Sequence, residues 1–342
     1  MIARCFAWRR VSPISLSYTH PVHPRPRGAC SSRVEPIVFG PVYSRRLGWS
    51  LGVNLVPFKT CTWNCVYCYL GYAQPVVERR RWIEERVVVE KVLEKVRSVH
   101  TDYVTLVGIG EPTLASNIGR VVELLKSEVG VRVAVLSNGS LFNRGVAFEV
   151  SEADYIKATI TSVDEDKWRV LHNPAAPLNA EEFVEGLWLA SRAAKSFHLE
   201  VMLVDGVNDS PEDAARLGSV IRELGVTSVA VNTPFRPGWA RWVNPPAPER
   251  VLRFASILER VSGHRVEVLT GRGLRPPRID PSKPGESLAE IVSTHILSWS
   301  EAVEALREAG VENPEDTLRE LVETGVVKAR RVGSETYLYR ED

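Results

Sequence analysis

No run in this chain approaches the ~18 uninterrupted apolar residues that a membrane-spanning helix needs. An excess of either charge is also missing. Lys and Arg number 43 against 42 Asp and Glu, a net charge of +1, so there is no overall electrostatic sign of a polyanion-binding protein. Cysteine is scarce: five in 342 residues, three of them within eight positions. A disulfide framework uses paired cysteines, and three close neighbours leave one unpaired. That pattern points to a metal in a reducing compartment and to a cytoplasmic setting. Cys5 and Cys30 lie apart and carry no assigned role. What remains is ordinary: 44% apolar and 25% charged residues, as in a soluble globular protein of one large domain or two smaller ones.

The chemistry is concentrated in Lys59-Thr60-Cys61-Thr62-Trp63-Asn64-Cys65-Val66-Tyr67-Cys68, a C-x3-C-x2-C loop. Thiolates this close can reach one metal centre. Structural zinc takes four protein ligands, and no fourth Cys or His lies nearby; the next histidine is His100. A [4Fe–4S] cluster is also usually held by four thiolates. Three leave one position open, which suits a catalytic centre. A zinc knuckle completed from afar, by His172 or His198, is the plainer alternative.

This loop resembles that of the radical S-adenosylmethionine (radical SAM) enzymes. The resemblance implies a [4Fe–4S] cluster on Cys61, Cys65 and Cys68, with S-adenosylmethionine (SAM) on the vacant iron and Tyr67 beside its adenine. It also implies reductive cleavage of SAM to a 5′-deoxyadenosyl radical. The longer run Gly40-Pro41-Val42 … Ser44-Arg45-Arg46-Leu47-Gly48 … Asn54 … Pro57 … Lys59-Thr60-Cys61 is similar to a group of Fe–S proteins related to the wyosine-base synthases of archaeal tRNA. The substrate stays unidentified, with an RNA base, a peptide side chain and a small molecule as candidates. An electron donor such as a ferredoxin or flavodoxin is implied.

Along the chain, residues 1–35 hold six arginines and one acid, without apolar periodicity. They read as a disordered basic extension, or as the product of a start codon placed too far upstream. From Leu51 onward, alternating or β-branched strands and apolar-striped helices follow one another. Such β-α units require parallel pairing and close into a barrel or remain an open sheet. The resemblance selects a partial (β/α)6 TIM-like barrel over residues 36–270. Functional residues should then follow the strands.

Gly108-Ile109-Gly110-Glu111-Pro112 follows the strand at Val104, with glycines that let backbone approach a ligand and a carboxylate that can pair with an ammonium group. It is similar to the family's motif for the amino group of SAM. Asn138, after the next strand, is implied as a wall of the SAM pocket. Alternation places Lys157, Thr159 and Thr161 on one face. Lys157 is the stronger candidate because a buried lysine is costly unless paired. Asn232 and Arg236 close the sixth strand and are expected at the same end. Arg45, Arg46 and Lys59 could hold anionic groups or form a solvated basic turn. His172 reads as a surface helix end. Trp239 and Trp242, interleaved with Arg241, suit either a nucleobase platform or a loop pinned to the barrel rim.

Residues 271–285 read as a linker. Residues 286–342 read as three helices and a hairpin, a winged-helix-like α+β module. Its six basic against thirteen acidic residues argue for a structural or protein-contact role rather than phosphate contact. Two other functions stay open: a redox-sensing regulator using this module, and a zinc-holding interaction protein.

Overall fold

The structure is a computed structural model and describes residues 36–269, 275–332 and 335–339. The expectations for residues 1–35, for Cys5 and Cys30, and for the start of the linker and the tip of the C-terminal hairpin fall outside the described residues.

The chain opens with β1 (Val38–Ser44) and β2 (Gly48–Val53), followed by α1 (Glu85–Val96), β3 (Tyr103–Leu106), α2 (Ile118–Glu128) and β4 (Arg132–Ser137). Next come α3 (Val146–Glu149), β5 (Tyr155–Ile160), α4 (Glu165–His172), α5 (Ala180–Ala193) and β6 (Phe197–Met202). The core ends with α6 (Pro211–Leu224), β7 (Ser228–Asn232), α7 (Pro248–Ser262) and β8 (Val266–Val268). Among the described residues these eight strands form one sheet in sequence order. Neighbours from β2 to β8 are parallel. The sheet is an open, partial TIM-like barrel with β1 and β8 at its edges.

Strand β1 corrects the sequence reading, which began the sheet at Leu51. It pairs antiparallel with β2 and carries an irregularity between Phe39 and Val42. Gly52 makes room for it, since a Cβ there would fall 2.1 Å from the Phe39 ring.

Alternation gives the sheet two chemically different faces. Val104, Leu106, Val133, Val135, Ile156, Ile160, Leu199 and Val201 are fully buried against the helices. The other face is polar: Ser50 Oγ lies 2.6 Å from Thr105 Oγ1, and Lys157, Glu200 and Asn232 converge further along. Helix ends follow capping rules. Ser210 and Asp213 form a capping box on α6, and Gly225 ends it in the left-handed conformation. Because the pairing is parallel, loops after the strands gather at one end.

Beyond the sheet lie α8 (Pro284–Thr294), β9 (Leu297–Ser298), α9 (Trp299–Glu308), α10 (Pro314–Glu323), β10 (Lys328–Val332) and β11 (Glu335–Tyr339). They enclose their own core of Leu288, Ile291, Val292, Leu306, Leu318, Val327 and Leu338. The three strands pair in the order β10-β11-β9. Helix α8 begins at Pro284, inside the stretch read as linker. No helix among the described residues is long and apolar enough to cross a membrane.

Candidate active site at the cysteine loop

The cysteine loop leaves the C-terminal end of β2 and is clamped on three sides. The first clamp is the loop after β3. Lys59 N donates to Ile109 O at 2.6 Å and Glu111 N donates to Thr60 O at 2.9 Å, a short stretch of backbone pairing between loops. Gly110 is required for it, because a Cβ would fall 2.2 Å from Thr60 O. Gly108, at φ +135, abuts Asn54, whose Oδ1 would lie 1.8 Å from a Cβ. Both glycines therefore let protein backbone approach protein, a task the sequence reading had given to ligand contact.

The second clamp is the end of α4, where terminal carbonyls lack helical partners. Leu171 O accepts from Val66 N at 3.0 Å and His172 O from Asn64 N at 2.9 Å. The third is the loop after β7. Trp239 Nε1 donates to Cys65 O at 2.8 Å, and Ala240 N donates to Val66 O at 3.3 Å. Gly238 permits this approach, since a Cβ would meet Val66 O at 2.7 Å. Trp239 and Trp242 pack in one apolar cluster with Val66, Leu171 and Val204. This loop is pinned to the rim, the plainer of its two sequence readings.

Cys61, Cys65 and Cys68 are free thiols, each partly buried. Each sulfur has a different polar neighbour. Asn138 Nδ2 lies 3.7 Å from Cys61 Sγ, His172 Nδ1 lies 3.3 Å from Cys65 Sγ, and Lys59 Nζ lies 3.7 Å from Cys68 Sγ. Burial, with the Glu111 charge, pushes the Cys61 thiol up to about 12. Burial and the other two sulfurs push Cys65 well above its ordinary value. Thiols that resist ionising alone become good ligands when a cationic centre supplies the missing positive charge. Among the described residues, no three His, Cys, Asp or Glu side chains are gathered as a site for a single metal ion. His198, one of the two distant zinc ligands considered, is bonded to Ser196 and Ser228 at 2.7 Å each. It lies near the start of β6, at the other end of the barrel from this loop. Three thiols on one loop fit a [4Fe–4S] cluster with an open iron.

The remaining sequence candidates fall into two groups. Glu111 is buried at 2% exposure and sits beside the cysteine loop. Its Oε1 accepts from Thr113 N at 3.1 Å, Thr113 Oγ1 at 2.6 Å and Ser137 Oγ at 2.7 Å. Its Oε2 accepts from Asn138 N at 2.7 Å. Burial still raises its pKa against these donors. The carboxylate thus ties the end of β3 to the end of β4, a structural task not evident from the motif. Asn138 continues the link, donating Nδ2 to Thr62 Oγ1 at 2.8 Å.

Lys157 and Asn232 meet elsewhere, around Glu200, a residue the sequence reading passed over. Glu200 is paired with Arg46 Nη2 at 2.5 Å and with Lys157 Nζ at 3.8 Å, and Asn232 Nδ2 donates to it at 3.4 Å. Burial opposes its charge, but Lys157 and Arg46 outweigh burial and hold the carboxyl down to about 2. At Lys157 burial wins and lowers the pKa, since the Arg46 charge works against the help from Glu200 and Glu111. Arg46 therefore serves an internal carboxylate, neither an external anion nor a solvated turn, and Lys59 Nζ donates to Gly71 O. Glu200 carries the same signal in the sequence as Lys157, a charge on an otherwise apolar strand.

His172 departs from expectation. It is fully buried, with its ring centroid 3.8 Å from that of Trp63. Nε2 lies 2.8 Å from Thr161 Oγ1, and Nδ1 lies 3.3 Å from Tyr67 Oη. Burial drives its pKa down to about 3.

Residues 55–218 match the family model described as the Radical SAM superfamily. A UPF0026 protein of Methanocaldococcus jannaschii is 29% identical over 310 residues, covering 88% of this chain and 95% of that protein. A UPF0026 protein of Synechocystis is 30% identical over 205 residues, covering 59% of this chain and 77% of its own length. The solved structure of TYW1 with a lysine–pyruvate adduct bound shares the fold at TM-score 0.50 and 17% identity, over 62% of this chain and 73% of that one. The chain belongs to the radical SAM superfamily, among the UPF0026 proteins, and is an enzyme that uses a [4Fe–4S] cluster and SAM.

Proposed function

We propose that Cys61, Cys65 and Cys68 ligate the cluster, and that SAM is cleaved there to a 5′-deoxyadenosyl radical that abstracts hydrogen from a substrate. The observation that carries this reading is the three-thiol loop, partly buried and clamped on three sides. Once reduced, the cluster supplies one electron to SAM; the chain's own residues hold both and keep water away. Glu111 Oε1 is filled by three donors whereas Oε2 takes one. Its second acceptor position suits the ammonium group of SAM, next to the Gly108–Gly110 backbone. Asn138 faces Cys61 and lines the same side. Tyr67 stands beside Cys65. Lys157 and Asn232, around Glu200, form the polar floor toward which a substrate or the SAM ribose extends.

An RNA base is the first substrate class to test, beside a peptide side chain and a small molecule; the similarity of the run from Gly40 to Cys61 to the group related to tRNA wyosine synthases names relatives and does not carry their substrate over. The reductant is a low-potential donor such as a ferredoxin or flavodoxin. Residues 36–270 form the catalytic core, and residues 286–342 a winged-helix-like module whose acidic balance favours a structural or protein-contact role.

The test is anaerobic. After reconstitution with iron and sulfide and reduction with dithionite, added SAM should yield 5′-deoxyadenosine by chromatography, and Cys65→Ala should yield none. Full iron loading without 5′-deoxyadenosine, with and without added tRNA, would overturn the reading.

A further inference from the structure

This inference rests on the cluster reading above and concerns His172. Helix α4 is fixed at its start by Asp164, whose side chain accepts from Asp166 N and Lys167 N at 3.1 and 3.2 Å. It stops at His172 because Asn173 turns left-handed, at φ +40. That stop aims the imidazole at the cysteine loop. The ring is fully buried between Trp63 and Trp168, and no carboxylate is among its hydrogen-bond partners. An imidazole carries at least one N–H, on one ring nitrogen or the other.

The location of that proton follows from the two ends of the ring. The Tyr67 hydroxyl gives its proton to Cys65, so with the imidazole proton on Nε2 a bare Nδ1 would face the cluster-bound Cys65 sulfur and the Tyr67 oxygen, each at 3.3 Å, with no proton left between them. With the proton on Nδ1, it donates to the sulfur. Nε2 is then the acceptor for the Thr161 hydroxyl at 2.8 Å. The second arrangement satisfies both contacts. Tyr67 also hydrogen-bonds Cys65, so this sulfur has two neutral donors.

We propose that His172 is a positioning residue that donates Nδ1–H to the Cys65 sulfur and thereby raises the reduction potential of the cluster, with Thr161 donating its hydroxyl proton to Nε2. Reduction adds negative charge that spreads onto the thiolate sulfurs. A donor to one of them stabilises the reduced form more than the oxidised form. The effect eases entry of the electron that SAM cleavage consumes. Sequence spacing could not reveal it, since Cys65 and His172 are 107 residues apart.

The experiment is an EPR-monitored dithionite titration of the full-length protein without SAM, with iron and sulfide counted in each sample. His172→Phe fills the ring space without a donor, Thr161→Val releases the tautomer, and His172→Asn restores an N–H near Nδ1. At a fixed potential, His172→Phe should show about tenfold less reduced cluster, a fall of about 59 mV for one electron. Thr161→Val should shift the same way by less, and His172→Asn should recover part of the loss. Wild-type midpoints in loaded His172→Phe and Thr161→Val would overturn the proposal. If His172→Phe binds no iron, Thr161→Val decides: a lowered midpoint supports the proposal and an unchanged one overturns it. Absence of any cluster signal in the wild type would overturn the cluster reading itself.

Discussion

Glu200 is the residue on which the polar face of the barrel depends. It is a carboxylate with two cations and an amide in an otherwise closed environment. Removing one partner from such a group leaves buried charge uncompensated, which costs about 3–5 kcal/mol. Glu200→Gln in the cluster-free protein should therefore lose about that much stability at pH 7, read from urea denaturation. Its folded-state pKa lies below the unfolded value, so the stability it contributes is present above ~4.5. That stability is lost as pH falls through about 2. The gap between wild type and variant should narrow toward pH 3, and a gap independent of pH would contradict the assignment. At this scale the sequence was half legible. Strand alternation exposed Lys157 as a buried charge, and the cysteine spacing marked the three thiols that share one loop. His172 was misread because Trp63, whose ring stacks on it, is recognisable as a neighbour only once α4 and the cysteine loop are folded together; Trp168, four residues earlier on the same helix, was the signal available in the sequence. Glu111 showed its chemistry but not its structural partners, which come from the following strand end.

Among the elements, the contact between the cysteine loop and the loop after β3 does most to position the site. Both backbones approach so closely that one residue must lack a side chain, and that residue is Gly110. Gly110→Ala should force the loops apart, costing about 1–3 kcal/mol as other overpacking changes do. It should also reduce iron incorporation severalfold while helical circular dichroism is retained. Unchanged iron loading and an unchanged urea midpoint would show that the pairing is dispensable. The periodic helices and the parallel strands were readable from residue pattern because each buries one regular face. Strand β1 was not, because Gly40-Pro41 punctuates it as a turn would. Its partner is the adjacent β2, which pattern alone does not reveal. Arg46 was visible as charge, but its internal partner Glu200 lies 154 residues away.

Over the whole molecule, parallel pairing brings the loops after β2, β3, β4 and β7 to one end, where they enclose the three thiols. The C-terminal module meets this end as well. Arg236, buried in the loop after β7, reaches His295 Nε2 at 3.1 Å and Glu301 at 3.5 Å, and the His295 ring lies 6.3 Å from Tyr69, one residue past Cys68. The fold therefore supplies a walled site whose central claim is an iron left open for SAM. The most direct test is the EPR spectrum of the dithionite-reduced, reconstituted protein with and without SAM. The account predicts a changed set of g values when SAM is added, because the cofactor would take the iron position that the three thiols leave open. Identical spectra at saturating SAM would contradict it.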